Sequence, residues 1–408
     1  MDLKLSQSKV VGFPAITISG SKSETNRLLL LQAIIPELTL QNISESDDSR
    51  AMQNALTSDS SLIDIGHAGT AMRFLTAYFA VADGRVVTLT GSSRMKQRPI
   101  KILVDALREL GAQIDYLESD GFPPLKISGK KLTKHSVSLD AGVSSQYISA
   151  LLLIAPKLEN GLELTLTGEV ASRPYIEMTL SLLNDIGVKT SFVNNMIAVA
   201  NAAGMNKNSL LVVESDWSSA SYFYSIVALS DIGTQIELST FKNESRQGDS
   251  ALAEIYKTFG VETDCDDVSI IIRKSHNLQS SPINLRLNNT PDLAQTIAVT
   301  AFGLGIKCTL AGLHTLKIKE TDRISALKAE LEKLGAAVST TDESITIESS
   351  EIRPNVRIKT YDDHRMAMAF APLAVKVPIL IENSEVVSKS YPSFWSDIKV
   401  VGFIFEEA

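Results

Sequence analysis

The chain has 408 residues, too many for one ordinary hydrophobic core, so two or more domains are expected. Its 44% hydrophobic and 21% charged content is that of a soluble globular protein, and a formal charge of −8 argues against a generic nucleic-acid binder, which needs a basic face. No apolar run is long enough to span a bilayer, and the two cysteines, Cys265 and Cys308, have neither pairing nor metal-ligand spacing. Residues 1–10 carry no signal-peptide core. A reduced, cytoplasmic protein without membrane or nucleic-acid partners is expected.

Residues 11–19 read as a strand. Gly20-Ser21-Lys22-Ser23-Glu24-Thr25-Asn26-Arg27 follows, and then residues 28–35 are almost wholly apolar. This is a loop feeding a helix that is apolar all round and therefore buried. Free N–H groups at its start favour an anion, and Lys22 and Arg27 add full charges.

Two families of segments then alternate. Amphipathic helices run over 100–111, 176–187, 250–260 and 324–335, each stopped by a glycine (111, 187, 260, 335) at intervals of about 75 residues. Nearly all-apolar helices with polar openings start near Lys22, Ala68, Ser144, Trp217, Pro291 and Asp363. Short β-branched strands lie between them at 86–89, 162–166, 236–238, 308–310 and 379–381. The first interval is short, so the first unit is abbreviated or borrows parts from the chain's end. The units read as βαβαββ, three to a domain, with one domain over 20–213 and the other combining 1–19 with 214–408.

The helix openings carry the chemistry. His67-Ala68-Gly69-Thr70 admits an anion close to backbone N–H groups, with Arg73 one turn further in. The later openings are Ser144-Ser145-Gln146, Ser215-Asp216-Trp217, Thr290-Pro291-Asp292 and Asp362-Asp363-His364-Arg365. Ordinary N-capping accounts for any one of them. Six polar tips, three with Lys or Arg, point instead to a shared polar site, because a buried cation is costly unless paired. Arg94, Lys96 and Arg98 crowd a loop after a strand. Residues 317–323 alternate sign, which taken alone suits a surface helix with salt bridges.

Together the segments 20–27, 68–73, 94–99, 144–146, 319–323 and 363–368 resemble, in order, the motifs of the EPSP synthase family of enolpyruvyl transferases. The resemblance spans nearly the whole chain. It implies a two-domain inside-out α/β barrel, each domain three βαβαββ repeats around buried parallel helices, with the active site in the cleft between the domains. It implies no metal and no organic cofactor. The implied reaction moves the enolpyruvyl group of phosphoenolpyruvate to the 5-hydroxyl of shikimate 3-phosphate and releases phosphate. A monomer acting on these two small molecules is expected.

Carried over by motif, Lys22, Ser23, Arg27, Ser144, Ser145, Gln146, Ser172, Tyr175, Asp292, Thr315 and Lys319 would hold shikimate 3-phosphate. Lys22, Gly69, Arg94, Gln146, Arg323, Arg365 and Lys389 would surround phosphoenolpyruvate. Asp292 would take the proton of the 5-hydroxyl, and Glu320, with Lys22 assisting, would serve C3 of the enolpyruvyl group. The chain departs from the family pattern at Ser19, His67, Phe74, Arg173 and Thr315, the last replacing an Asn. Gly69 leaves the enolpyruvate pocket open, which implies sensitivity to glyphosate. The alternatives are the sister transferase acting on UDP-N-acetylglucosamine, an RNA-end cyclase with the same repeat, and a non-catalytic binder of phosphorylated metabolites. The first is disfavoured by a basic loop without cysteine, and the second by the negative charge.

Overall fold

A computed structural model describes residues 1–140, 142, 144–168, 170, 172–204, 209–266, 268–276 and 281–408. Two compact units result: a continuous unit, Gly20–Val213, and a split unit, Met1–Ser19 with Glu214–Ala408. Among the described residues no helix is long and apolar enough to cross a membrane.

The repeat is visible in each unit by itself. In the continuous unit, strand Leu62–Asp64 leads through helix Gly69–Ala80 to the parallel strand Val86–Thr90. Helix Lys101–Glu109 and the antiparallel strands Gln113–Tyr116 and Leu125–Ser128 complete a four-stranded sheet. Strands Ser136–Asp140, Leu162–Thr167, Met196–Val199 and Thr190–Val193, with helices Ser145–Ile154 and Arg173–Asp185, repeat the pattern. The remaining copy is shorter. Helix Lys22–Ile34 leads to strand Thr39–Gln41 and helix Asp47–Thr57, and the strand pairs only with Leu210–Val212. The abbreviated first unit is therefore completed from the end of its own domain, not from the end of the chain.

The split unit holds three four-stranded copies. The first opens with strand Ala15–Thr17, parallel to Gln235–Ser239. The continuous unit is thus inserted between that strand and helix Trp217–Leu229. The last copy takes its final strand from the chain's start, where Leu3–Leu5 pairs with Ile379–Ile381 and Phe405–Glu407. The sequence reading did not anticipate that strand.

The apolar runs become interior helices. In Trp217–Leu229 every residue but Ser218 is buried, and all of Ala294–Gly303 and His364–Phe370 is buried. Several of their hydroxyls are matched between helices, as low-dielectric burial favours. Ser221 Oγ meets Thr296 Oγ1 at 3.1 Å, and Thr300 Oγ1 donates to Ser225 Oγ at 2.7 Å. The four glycines that end the amphipathic helices have φ of +107°, +82°, +72° and +106°, the left-handed stop that a side chain would strain.

One interior glycine is set by packing. A Cβ on Gly303 would lie 2.6 Å from Leu229 Cδ2 and 2.9 Å from Leu373 Cδ2. Gly303→Val should lower the unfolding free energy of the split unit by about 1–3 kcal/mol through overpacking, seen as an earlier urea transition.

Candidate active site

In the continuous unit, contacts near the starts of the buried helices bring those starts together. Ser21 caps Lys22–Ile34 by accepting from the Glu24 N–H at 3.5 Å, and Lys22 Nζ pairs with Asp48 Oδ2 at 3.2 Å. Arg27 lies one turn in and is 2% exposed. Its guanidinium donates to Thr179 Oγ1 at 2.7 Å, the Ser23 carbonyl at 2.7 Å, Ser149 Oγ at 3.0 Å and the Tyr175 carbonyl at 3.2 Å. These acceptors are all neutral. Burial lowers the Arg27 guanidinium to about 10, still charged at neutral pH. Among the described residues this leaves a cation with no carboxylate in its hydrogen-bonded shell.

Gln146 Nε2 reaches Thr70 Oγ1 at 3.3 Å, so the second and third tips meet. Ser144 caps its helix by accepting from the Gln146 N–H at 3.3 Å, and Ser145 is buried. Ser172 sits at φ +53° ahead of Arg173–Asp185, and its carbonyl accepts from the Tyr175 N–H at 3.1 Å. Ser92 Oγ lies 3.0 Å from His67 Nδ1.

The basic loop divides its arginines. Arg94, half-buried, precedes the turn Met95–Gln97. Arg98 is 8% exposed and packs on Gly69: a Cβ there would stand 2.9 Å from Arg98 Cζ and overlap Nη1. Gly69 is therefore fitted to Arg98, and the motif reading, which took Arg94, passed Arg98 over. The Pro that follows Arg98 was the available signal. Arg73 is used to hold this loop, donating to the Gly69 carbonyl at 3.0 Å and the Pro99 carbonyl at 3.2 Å.

In the split unit the charges interlock. The helix Arg323–Lys333 starts at Arg323, so residues 319–322 precede it and do not form the surface helix that their alternating signs suggest. Arg323, 2% exposed, donates through Nε to Asp363 Oδ2 at 2.7 Å, through Nη1 to Asp292 Oδ1 at 2.9 Å and through Nη2 to Glu320 Oε2 at 2.9 Å. Asp363 also caps its helix by accepting from the Arg365 N–H at 2.9 Å. Asp292 faces Arg365 Nη2 at 3.2 Å and Lys319 Nζ at 3.5 Å, and Glu320 Oε1 faces Lys389 Nζ at 3.2 Å. The Thr315 hydroxyl is buried without a hydrogen-bond partner among the described residues.

Four cations thus share three carboxylates. Burial alone would push the Asp292 carboxyl up, but Arg365, Lys319 and Arg323 outweigh it and hold the group well below the usual carboxylate range. Burial would likewise lower Arg323, yet Asp363, Glu320 and Asp292 hold its proton more tightly than usual. A group with a depressed folded pKa stabilises the fold above its unfolded value and loses that contribution as pH falls. Asp292→Asn should therefore abolish one component of the stability lost below about pH 4. Thermal melts of the variant and the parent across the acid range should converge as pH drops.

The model of the family "EPSP synthase (3-phosphoshikimate 1-carboxyvinyltransferase)" matches residues 54–398. A 3-phosphoshikimate 1-carboxyvinyltransferase of Bacteroides fragilis (strain YCH46) is 47% identical over 393 residues, covering 95% of each chain. The enzyme of the same name from Sulfurovum sp. (strain NBC37-1) is 35% identical, covering 95% of this chain and 96% of its own. In fold, an EPSP synthase structure from Acinetobacter baumannii superposes with a TM-score of 0.79 at 21% identity over the full length of both chains. The enolpyruvyl transferase NikO from Streptomyces tendae superposes at 0.73 with 14% identity, covering 100% of this chain and 99% of its own. The two-domain inside-out α/β architecture is shared with these structures, and with the matches in sequence and in ordered motifs it follows that the chain belongs to the EPSP synthase (3-phosphoshikimate 1-carboxyvinyltransferase) family.

Proposed function

We propose that this chain transfers the enolpyruvyl group of phosphoenolpyruvate to the 5-hydroxyl of shikimate 3-phosphate, with release of phosphate. The observation that carries this reading is the pair of carboxylates, Asp292 and Glu320, bound to opposite ends of one buried guanidinium, Arg323. The reaction needs two opposite proton movements, and this arrangement supplies two acids at fixed separation inside a cationic cluster. The 5-hydroxyl loses its proton to Asp292 as its oxygen attacks C2, while C3 gains a proton from Glu320. The tetrahedral adduct then expels phosphate as C3 returns that proton.

Glu320 is held by Arg323 and Lys389. A bound phosphoenolpyruvate competes with Glu320 for both cations. Arg323 and Arg365 suit its carboxylate, since a planar guanidinium binds two oxygens at once. We assign its phosphate to Lys22, Gly69, Arg94, Gln146 and Lys389, and add Arg98 because of its packing on Gly69. Shikimate 3-phosphate is assigned to Lys22, Ser23, Arg27, Ser144, Ser145, Gln146, Ser172, Tyr175, Asp292, Thr315 and Lys319. The neutral shell around Arg27 and the partnerless Thr315 hydroxyl support two members of that set. We place the activity in the cytoplasm and in the monomer, since both clusters come from one chain.

Purified protein given both substrates in EDTA should release phosphate, and neither substrate alone should suffice. Asp292→Ala and Glu320→Ala should each lower turnover by about 10²–10⁴-fold without abolishing binding of shikimate 3-phosphate. Binding without turnover in the parent protein would instead favour a non-catalytic receptor. Glyphosate should inhibit in competition with phosphoenolpyruvate, and full activity in its presence at low phosphoenolpyruvate would contradict that expectation.

A further inference from the structure

Asp249 lies outside every motif used above, yet it adjoins the cluster of the split unit. It is 3% exposed, in the turn Gly248–Ala251. Its Oδ2 accepts a short hydrogen bond from Ser218 Oγ, and the same hydroxyl accepts from Arg365 Nη2 at 3.3 Å. Arg365 in turn pairs with Asp292 Oδ2 at 3.2 Å and donates through Nη1 to the Asp292 carbonyl at 3.1 Å. Ser218 is the one residue of Trp217–Leu229 that is not buried, so the link sits at the polar end of that helix. The turn cannot drift: Gln247 Oε1 accepts from the Trp217 N–H at 3.0 Å, and Gln247 Nε2 donates to the Ser215 carbonyl at 2.8 Å.

We propose that Asp249 is a positioning residue for Arg365, holding that guanidinium through the Ser218 hydroxyl and setting by its charge how strongly the cluster draws an anion. The polarity of the link supports this. Arginine donates to the hydroxyl, and the hydroxyl donates to the carboxylate, so an ionised Asp249 orients the Ser218 lone pair toward Arg365. A protonated Asp249 no longer demands that orientation and removes one negative charge from beside the cations. The charged groups facing Asp249 are Asp292, Arg365 and Asp216, with the Ser218 hydroxyl. Burial, then Asp292, raises its carboxyl to about 6 against the opposing pull of Arg365 and Ser218. Its second oxygen, Oδ1, has no hydrogen-bond partner among the described residues. As pH rises through this range, Asp249 ionises and the cluster's net positive charge falls.

The inference rests on the proposed enolpyruvyl transfer, in which Arg365 meets phosphoenolpyruvate. Its test is the KM for phosphoenolpyruvate, at saturating shikimate 3-phosphate, from pH 5 to 8.5 for the parent, Asp249→Asn and Asp249→Ala. The titration of phosphoenolpyruvate itself cancels in the ratio of variant to parent. Asn keeps an acceptor for Ser218 and removes the charge, so its KM should match the parent near pH 5 and fall below it by roughly threefold to tenfold near pH 8. Ala also removes the acceptor and should raise KM at both ends, with kcat less affected. Asp249→Asn should also become more heat-stable relative to the parent as pH rises past 6, because the parent must then ionise a buried carboxyl. Parallel pH profiles for Asn and parent, or an equal loss in Asn and Ala, would overturn the inference while leaving the transfer reaction standing. An inactive parent would overturn both.

Discussion

Burial of helices that are apolar all round is the constraint on which the rest of the molecule depends. A helix inside a core can expose polar groups only at its ends, and its first N–H groups have no partner within the helix. Where several such helices lie side by side with their starts together, those unsatisfied donors collect in one place. Arg27, Phe74 and Ser149 all lie about one turn into their helices, and Arg27 touches both of the others. In the split unit Arg365, Ser218 and Asp292 meet at the very starts of theirs. The gathering of polar groups at these starts is therefore a consequence of how the core is built.

The two units stabilise their cations by different means. The split unit surrounds Arg323 with three carboxylates, so the guanidinium is fixed before any substrate arrives. The continuous unit surrounds Arg27 with hydroxyls and carbonyls. Neutral acceptors satisfy its donors without cancelling its charge. A carboxylate-bound arginine supplies geometry and proton acceptors. A neutrally bound one supplies attraction.

The buried helices, the strands at 86–89, 162–166, 236–238, 308–310 and 379–381, and the four glycine stops were legible because each is local. Composition and spacing over a dozen residues settle whether a segment is buried on all sides or on one. The helix Asp47–Thr57 and the strand Leu3–Leu5 were missed. The first is polar for most of its length, and the second is three residues whose role depends on partners almost 400 positions away.

The sequence by itself determined the repeat, the apolar interior helices, the polar residues at their starts and the ordered motifs of the family. The tertiary structure alone decided which charges meet. Alternating signs at 317–323 suggested a surface helix, but Arg323 turns to Asp363, 40 positions on. Arg98 packs on Gly69, and the turn Met95–Gln97 separates it from Arg94. Asp249 is linked to Arg365 through a serine on a third element. Electrostatic energy depends on distances of a few ångströms and on burial, and for residues far apart in the chain both are fixed by helix packing and strand register, which no local pattern encodes.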